Sequence, residues 1–119
     1  MFTHNKDTGF FGENMAADYL INNGFQVLHR NWRHRHLEID LIACKGDCLH
    51  IVEVKTRHTN QFGYPEQHIK AKKMKLLRNG AALYQYQHPN WKIIQFDIIA
   101  IQLNASQNWA LFYIEDVYY

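Results

Sequence analysis

Residues 37–57 read LEIDLIACKGDCLHIVEVKTR. This stretch holds two mainly apolar runs, Leu37 to Cys44 and Leu49 to Arg57, on either side of Lys45-Gly46-Asp47. A short Gly-containing turn between two such runs is typical of a β-hairpin. The first run is apolar on both faces, which indicates a strand covered on both sides. We therefore expect a hairpin inside a sheet that helices cover.

Charged side chains interrupt these apolar runs. Because side chains alternate along a strand, Glu38 and Asp40 share one face of the first run. On the second run, Glu53, Lys55 and Arg57 also share a face. Burying an unpaired carboxylate is costly, and neighbouring carboxylates repel each other. A sequence selected for folding alone would carry apolar residues at these positions.

The turn brings two of the carboxylates together. Counting outward from it, Cys44 faces Cys48, so Asp40 lies near Val52 and within one residue of Glu53. We predict that a small bulge or twist then places Asp40 and Glu53 on one rim of the sheet.

A bound divalent cation would resolve the repulsion between the carboxylates. Mg²⁺ and Mn²⁺ take carboxylate oxygens and keep several waters for a substrate phosphate. Lys55 reaches the same side as Glu53, where it can orient or deprotonate a water or stabilise developing negative charge. The three residues predict a phosphodiesterase centre, with Asp40 and Glu53 as metal ligands and Lys55 as the catalytic lysine. The alternative is an ordinary ion pair between Glu53 and Lys55.

The distribution of positive charge favours a polyanionic partner. The net charge is only +2, and the hydrophobic content of 47% is that of an ordinary globular protein, which excludes a histone-like polycation or a disordered chain. Two short stretches are nevertheless basic: residues 29–36, HRNWRHRH, and residues 70–78, KAKKMKLLR. Solvated charged faces are the alternative. The candidate nucleic-acid-binding residues, which would contact phosphates without reading sequence, are Arg30, Arg33, Arg57, Lys72 and Lys73.

The remaining segments complete an α/β fold. The predicted elements are helix 9–23, strands 25–32, 37–44 and 49–57, helix 66–87, and strands 92–102 and 109–114. Thr8 is the predicted cap of the first helix, and Gly24 its stop. The order αβββαββ predicts a mixed β-sheet flanked by helices. Because no linker, repeat or low-complexity tract divides the chain, we expect a single domain over residues 1–119.

The cysteines and the hydropathy bound the cellular setting. Cys44 and Cys48 are the only two cysteines, which is too few for a disulfide framework, and His50 does not complete a zinc set with them. Neither an apolar N-terminal run nor a stretch of about 18 apolar residues is present. We expect a protein of the reducing cytoplasm with no membrane partner.

Several short motifs resemble the YraN family of uncharacterised bacterial proteins. They are GE at 12–13, GF at 24–25, RN at 30–31, EIDLIA at 38–43, VEVKTR at 52–57, FGxP at 62–65 and FDIIAI at 96–101. The family is similar in motif order to the archaeal Holliday junction resolvases. The resemblance implies a restriction-endonuclease-like fold and a PD-(D/E)xK nuclease centre. It assigns Asp40 and Glu53 as metal carboxylates, Lys55 as the catalytic lysine and Glu13 as a catalytic glutamate near the metal.

Two residues depart from the family pattern. Leu37 stands where the family usually has Gly, which alters the approach of the strand. Gln95 stands where it usually has Arg, which leaves a phosphate contact or a partner of Asp97 in doubt. We expect Asp97, inside an apolar strand, to make a structural salt link or hydrogen bond rather than bind metal.

These observations together predict a Mg²⁺- or Mn²⁺-dependent endonuclease that acts on DNA, with branched or repair-intermediate DNA as candidate substrates. Cutting a junction needs two near-symmetric cuts, so this hypothesis favours a homodimer. One alternative is a non-catalytic nucleic-acid-binding module on the same fold. Another is a protein-interaction adaptor, which would display an exposed apolar patch at Tyr113, Val117, Tyr118 and Tyr119.

Overall fold

The helices and strands follow the predicted order. The computed structural model describes residues 5–58, 71–103 and 108–117, and within them it has two helices and five strands. These are α1 (Asn5–Asn22), β1 (Gln26–His34), β2 (Leu37–Lys45), β3 (Cys48–His58), α2 (Ala71–Gln87), β4 (Ile93–Leu103) and β5 (Trp109–Ile114). The predicted α/β class and the order αβββαββ are confirmed.

The ends of α1 show one wrong boundary and one correct one. The helix begins at Asn5, so Thr8 lies inside it and is not its cap. Thr costs less than about 0.7 kcal/mol relative to Ala in a helix interior, so the helix can run through it. At the other end Gly24 has a φ of +87°. The amide of Phe25 donates to the carbonyl of Leu20 and that of Gly24 to Ile21, a Schellman stop at the predicted glycine.

The other predicted boundaries differ by a few residues or lie outside the described chain. β1 extends two residues beyond the predicted strand 25–32. The sequence predicts a loop over residues 58–65, which hold Asn, Gly and Pro, but His58 is the last residue of β3. The rest of that predicted loop, the FGxP motif at 62–65 and the predicted helix start at 66–70 lie outside the described residues.

The five strands form one mixed sheet in the order β1-β2-β3-β4-β5. The pairs β1/β2, β2/β3 and β4/β5 are antiparallel, and β3/β4 is parallel. The parallel pair follows from the chain passing through α2 between β3 and β4. The predicted mixed sheet is confirmed, and the arrangement is consistent with a restriction-endonuclease-like fold.

The helices cover opposite faces of the sheet, which explains the continuous apolar runs of the central strands. On one face α1 packs through Ala16, Ala17 and Leu20 against Leu41, Val52 and Ile99. On the other face α2 packs through Met74, Leu77, Ala81 and Tyr84 against Ile39, Ile51 and Ile98. Each fully buried Leu or Ile contributes about 1.5–3 kcal/mol. Neither described helix is long and apolar enough to cross a membrane.

Asp97 has the structural role expected of it. Its Oδ2 accepts hydrogen bonds from Nδ1 of His50 and from the hydroxyl of Tyr113, both at 2.6 Å. Its Oδ1 accepts from Nε2 of Gln95 at 2.9 Å and from the amide of Asp116 at 3.0 Å. Burial alone would raise the pKa of Asp97, but these hydrogen bonds outweigh burial and lower it. Gln95 therefore serves as a partner of Asp97.

The apolar patch of the adaptor hypothesis is not formed by the residues the structure describes. Val117 is only 8% exposed, and its amide donates to the carbonyl of Phe96. Tyr113 is partly buried and bonded to Asp97. Tyr118 and Tyr119 lie outside the described residues. Tyr113 and Val117 do not supply the exposed patch that the adaptor alternative requires, because their hydrogen bonds to Asp97 and Phe96 hold the C-terminal segment against the sheet.

Candidate active site

The β2–β3 hairpin places the two predicted metal carboxylates opposite each other. Lys45 pairs with Cys48 and Leu41 with Val52, so the predicted pairing of Cys44 with Cys48 was wrong by one residue. The turn has two residues rather than three, and Gly46 at its first position has the positive φ of +62° that such turns favour. Continuing this register by one residue sets Asp40 directly against Glu53.

The regular pairing of the hairpin ends where the carboxylates begin. The last paired residues are Leu41 and Val52, and beyond them Oδ2 of Asp40 accepts a hydrogen bond of 2.8 Å from the amide of Val54. Ile39 packs on the α2 face although Leu41, two residues on, packs on the α1 face. Side-chain alternation is therefore interrupted at Asp40. The predicted local irregularity is present, and it turns the Asp40 carboxylate towards β3.

Glu53 is the most unusual carboxylate of the site. The residue is 4% exposed, and its Oε1 is buried without a hydrogen bond from any described residue. Its Oε2 lies 3.5 Å from Nζ of Lys55 and 3.6 Å from Nζ of Lys73. Burial, together with the charge of Asp40 nearby, raises the pKa of Glu53 to about 7, although both lysines act to lower it.

This donor set fits a hard divalent cation. Glu53 has a buried oxygen that accepts no hydrogen bond from a described residue, and Asp40 beside it repels it when both are ionised. Among the described residues no three His, Cys, Asp or Glu side chains form a common cluster, so the site supplies two carboxylates. Mg²⁺ is commonly held by one or two carboxylates and completes its coordination with water and phosphate oxygens. Asp40 and Glu53 are thus suited to Mg²⁺ or Mn²⁺.

Glu13 reaches the site through β1. It is 8% exposed, and its Oε1 accepts a hydrogen bond of 2.8 Å from Nδ2 of Asn31 and one of 3.4 Å from Arg30. Arg30 pairs with Leu41 and Trp32 with Ile39, so Asn31 lies beside Asp40 in the sheet. Asn31 has a φ of +53°, a left-handed conformation that Asn tolerates better than most residues. Glu13 therefore holds Asn31, the neighbour of Asp40 in the sheet. That Glu13 lies near a metal stays a prediction.

A close contact between α1 and β3 sets the position of Glu13. A Cβ atom added to Gly12 would lie 1.8 Å from Oγ1 of Thr56, which no side chain tolerates without movement. Only glycine allows the helix to approach β3 at this point. The Gly-Glu pair at 12–13 thus has a physical reason: Gly12 makes room, and Glu13 fills the space next to Asn31.

The five predicted nucleic-acid-binding residues lie towards one end of the sheet, but their surroundings differ. Arg30 is bonded to Glu13 and Asn14, and Arg33 forms an exposed ion pair of 3.0 Å with Glu38. Nε of Arg57 is buried without a hydrogen bond from a described residue. On α2, Lys72 is exposed and Lys73 contacts Glu53. This end is formed by the carboxyl ends of β1, β3 and β4.

A family model described as "Uncharacterised protein family UPF0102" matches residues 12–101, a range that contains Glu13, Asp40, Glu53, Lys55 and Lys73. The chain belongs to this family. The predicted resemblance to YraN proteins is confirmed, since UPF0102 and YraN denote the same family.

Relatives within UPF0102 match the chain over most of its length. A UPF0102 protein of Flavobacterium johnsoniae is 35% identical over 123 residues, covering 100% of this chain and 98% of the relative. One of Rhodococcus opacus is 34% identical over 116 residues, covering 97% and 98%. One of Syntrophomonas wolfei is 39% identical over 105 residues, covering 87% and 91%. The family description states no activity.

Two residues of this UPF0102 site have roles that the sequence did not reveal. Asn31 supports Glu13, and its contact joins α1 to β1, which no local pattern encodes. Lys73 was predicted only as a phosphate contact, whereas the structure places it on Glu53. A helical pattern could have separated it from Lys72, because Lys73 precedes the buried Leu77 by four residues and so borders the buried stripe of α2.

Proposed function

We propose that this UPF0102 protein is a Mg²⁺- or Mn²⁺-dependent endonuclease that hydrolyses phosphodiester bonds in DNA. The observation that best supports the proposal is the pair formed by Asp40 and the buried Glu53, with a lysine two residues after Glu53 on the same strand. A carboxylate pair that lacks hydrogen bonds for a buried oxygen is poorly suited to a purely structural role.

The residues divide the chemistry between them. Asp40 and Glu53 would hold the cation, and the amide of Val54 fixes the orientation of the Asp40 carboxylate. When bound, the cation supplies Lewis-acid stabilisation of phosphoryl oxygens and acidifies water. Lys55, whose side chain is 25% exposed, has the reach to orient the attacking water or to stabilise negative charge on the phosphoryl group. Glu13 keeps Asn31 in place beside Asp40.

The charge around the carboxylates supports a polyanionic substrate. Arg30, Arg33, Arg57 and Lys72 lie towards the end of the sheet that holds Lys55, where they would contact phosphates on either side of the cleaved bond. The similarity of motif order to junction resolvases favours branched or repair-intermediate DNA in the cytoplasm as the substrate. Symmetric cutting of such DNA favours a homodimer.

A specific observation also favours a second candidate, a nucleic-acid-binding module without turnover. Glu53 already has two lysines within 3.6 Å, and this ion-pair cluster can stabilise the fold without a cation. Such a module would keep the basic residues and bind DNA in chelator as well as in Mg²⁺.

The two candidates are separated by a cleavage assay. Wild type and Asp40→Asn would be incubated with single-stranded, duplex, flapped and four-way DNA over a range of Mg²⁺ and Mn²⁺ concentrations. We expect cation-dependent cleavage of at least one substrate by the wild type and none by the variant. DNA binding without cleavage of any substrate, at every cation concentration, would contradict the nuclease and support the binding module.

A further inference from the structure

Glu53 is held by lysines from two different elements. Lys55 comes from β3 and Lys73 from the first turn of α2, and their Nζ atoms lie 3.5 and 3.6 Å from the same oxygen, Oε2. Lys55 follows Glu53 on its own strand, so its proximity is a local property of β3. Lys73 reaches Glu53 only because α2 packs on this face of the sheet. The packing of α2 on the sheet therefore brings a second positively charged side chain to Glu53.

Lys72 provides an internal comparison. It precedes Lys73 on the same helix, but successive residues of an α-helix point about 100° apart. Lys72 is exposed, whereas the side chain of Lys73 is 37% exposed and directed at a carboxylate that is 5% exposed. Two adjacent lysines of equal charge thus have different surroundings.

We infer that Lys73 is a positioning residue of the site, which neutralises Glu53 in the absence of a divalent cation and competes with such a cation for its Oε2. The second half of this inference rests on the proposed metal site. The first half concerns only the ion pair in the metal-free protein, so the two halves can be tested separately.

Charge balance gives the lysine a consequence for substrate binding. With both carboxylates ionised, Asp40 and Glu53 are balanced by Lys55 and Lys73, so the cluster is neutral without a cation. Adding a divalent cation leaves two positive charges in excess, which two DNA phosphates, each with one negative charge, would offset. Lys73 therefore opposes cation binding in the free protein, and the phosphates of bound DNA reduce this opposition. Thermodynamic linkage then makes cation and DNA binding mutually reinforcing.

The ion pair is tested by a double-mutant cycle on the metal-free protein in chelator. We expect Lys73→Met to lower the melting temperature by about 2–5 °C in the wild-type background and to have no effect in a Glu53→Gln background, where its partner charge is gone. Lys73→Arg keeps the charge and should preserve the melting temperature. Lys72→Met, the matched control, should act equally in both backgrounds. An equal effect of Lys73→Met in both backgrounds would overturn the inference.

The competition is tested by calorimetric titration of the same variants with Mn²⁺ in the absence of DNA. We expect Lys73→Met to tighten Mn²⁺ binding by about three- to tenfold, because it removes a positive charge next to a ligand. Lys72→Met and Lys73→Arg should stay within about twofold of the wild type. Unchanged or weaker binding by Lys73→Met would overturn the competition. If the wild type binds no Mn²⁺, the proposed function and the competition both fall, while a positive cycle still supports the ion pair.

Discussion

Glu53 on β3 and Asp97 on β4 are both buried carboxylates of the same sheet, yet their surroundings are opposite. Asp97 accepts four hydrogen bonds, which lower its pKa. Glu53 has a buried oxygen without a hydrogen bond from the described residues, and burial with Asp40 nearby raises its pKa. A buried carboxylate that is fully hydrogen-bonded stabilises the fold, whereas one left partly unsatisfied beside a second carboxylate is suited to bind a ligand.

The largest loss of stability should come from neutralising Asp97. We expect Asp97→Asn to destabilise the protein by about 2–4 kcal/mol, because an amide replaces an acceptor oxygen that receives two hydrogen bonds of 2.6 Å. Chemical denaturation of the metal-free protein measures this loss. Glu53→Gln is the matched control and should not be destabilised. A loss of similar size in both variants would mean that the two carboxylates have the same structural role.

The two carboxylates should also affect the pH dependence of stability with opposite signs. The pKa of Glu53 is raised to about 7, so its contribution to stability is full below its ordinary pKa and is lost as the pH rises through about 7. The pKa of Asp97 is lowered, so its contribution is present above its ordinary pKa and is lost as the pH falls.

Chemical denaturation in chelator at about pH 5 and about pH 8 measures how much Glu53 contributes to the pH dependence of stability. We expect the free energy of unfolding to fall by about 2 kcal/mol between these values in the wild type. Glu53→Gln should remove most of this fall. If the variant keeps the whole pH dependence, Glu53 is ionised in the folded protein across this range and the contrast with Asp97 is lost.

Neutralising Asp40 should change the stability by less and should not destabilise the protein. Asp40→Asn should leave the stability of the metal-free protein unchanged or raise it by up to about 1–2 kcal/mol, because it removes the repulsion with Glu53. The same variant should lose the stabilisation that Mg²⁺ gives the wild type. Thermal melts in chelator and in Mg²⁺ measure both quantities. A clear drop in the metal-free melting temperature, with Mg²⁺ stabilisation intact, would make Asp40 a structural carboxylate.

Much of the fold was accessible from sequence because the central strands are buried on both faces. The apolar runs at 37–44 and 49–57 and the glycine between them predicted the hairpin, and Gly24 predicted the end of α1. The register was wrong by one residue because turn length depends on backbone conformation at Gly46, and the sequence allows two turns there.

The sequence predicted the site residues that lie on the hairpin, but it missed the contacts made by residues from other elements. Asp40, Glu53 and Lys55 lie on two strands joined by one turn, so counting residues brings them together. Lys73 and Asn31 come from α2 and β1, and their contacts depend on how these elements pack. The cluster of basic residues at 70–78 indicated that Lys73 is a candidate phosphate contact, but it did not distinguish the role of Lys73 from that of Lys72.

A calorimetric titration of the metal-free protein with Mn²⁺ tests directly whether Asp40 and Glu53 form a metal centre. We expect the wild type to bind with a Kd between micromolar and millimolar, and both Asp40→Asn and Glu53→Gln to abolish binding. Glu38→Gln is the control, because Glu38 is an exposed carboxylate on the same strand as Asp40 and pairs with Arg33. It should bind Mn²⁺ as the wild type does. Unchanged binding in both Asp40→Asn and Glu53→Gln would show that these carboxylates are not a metal centre.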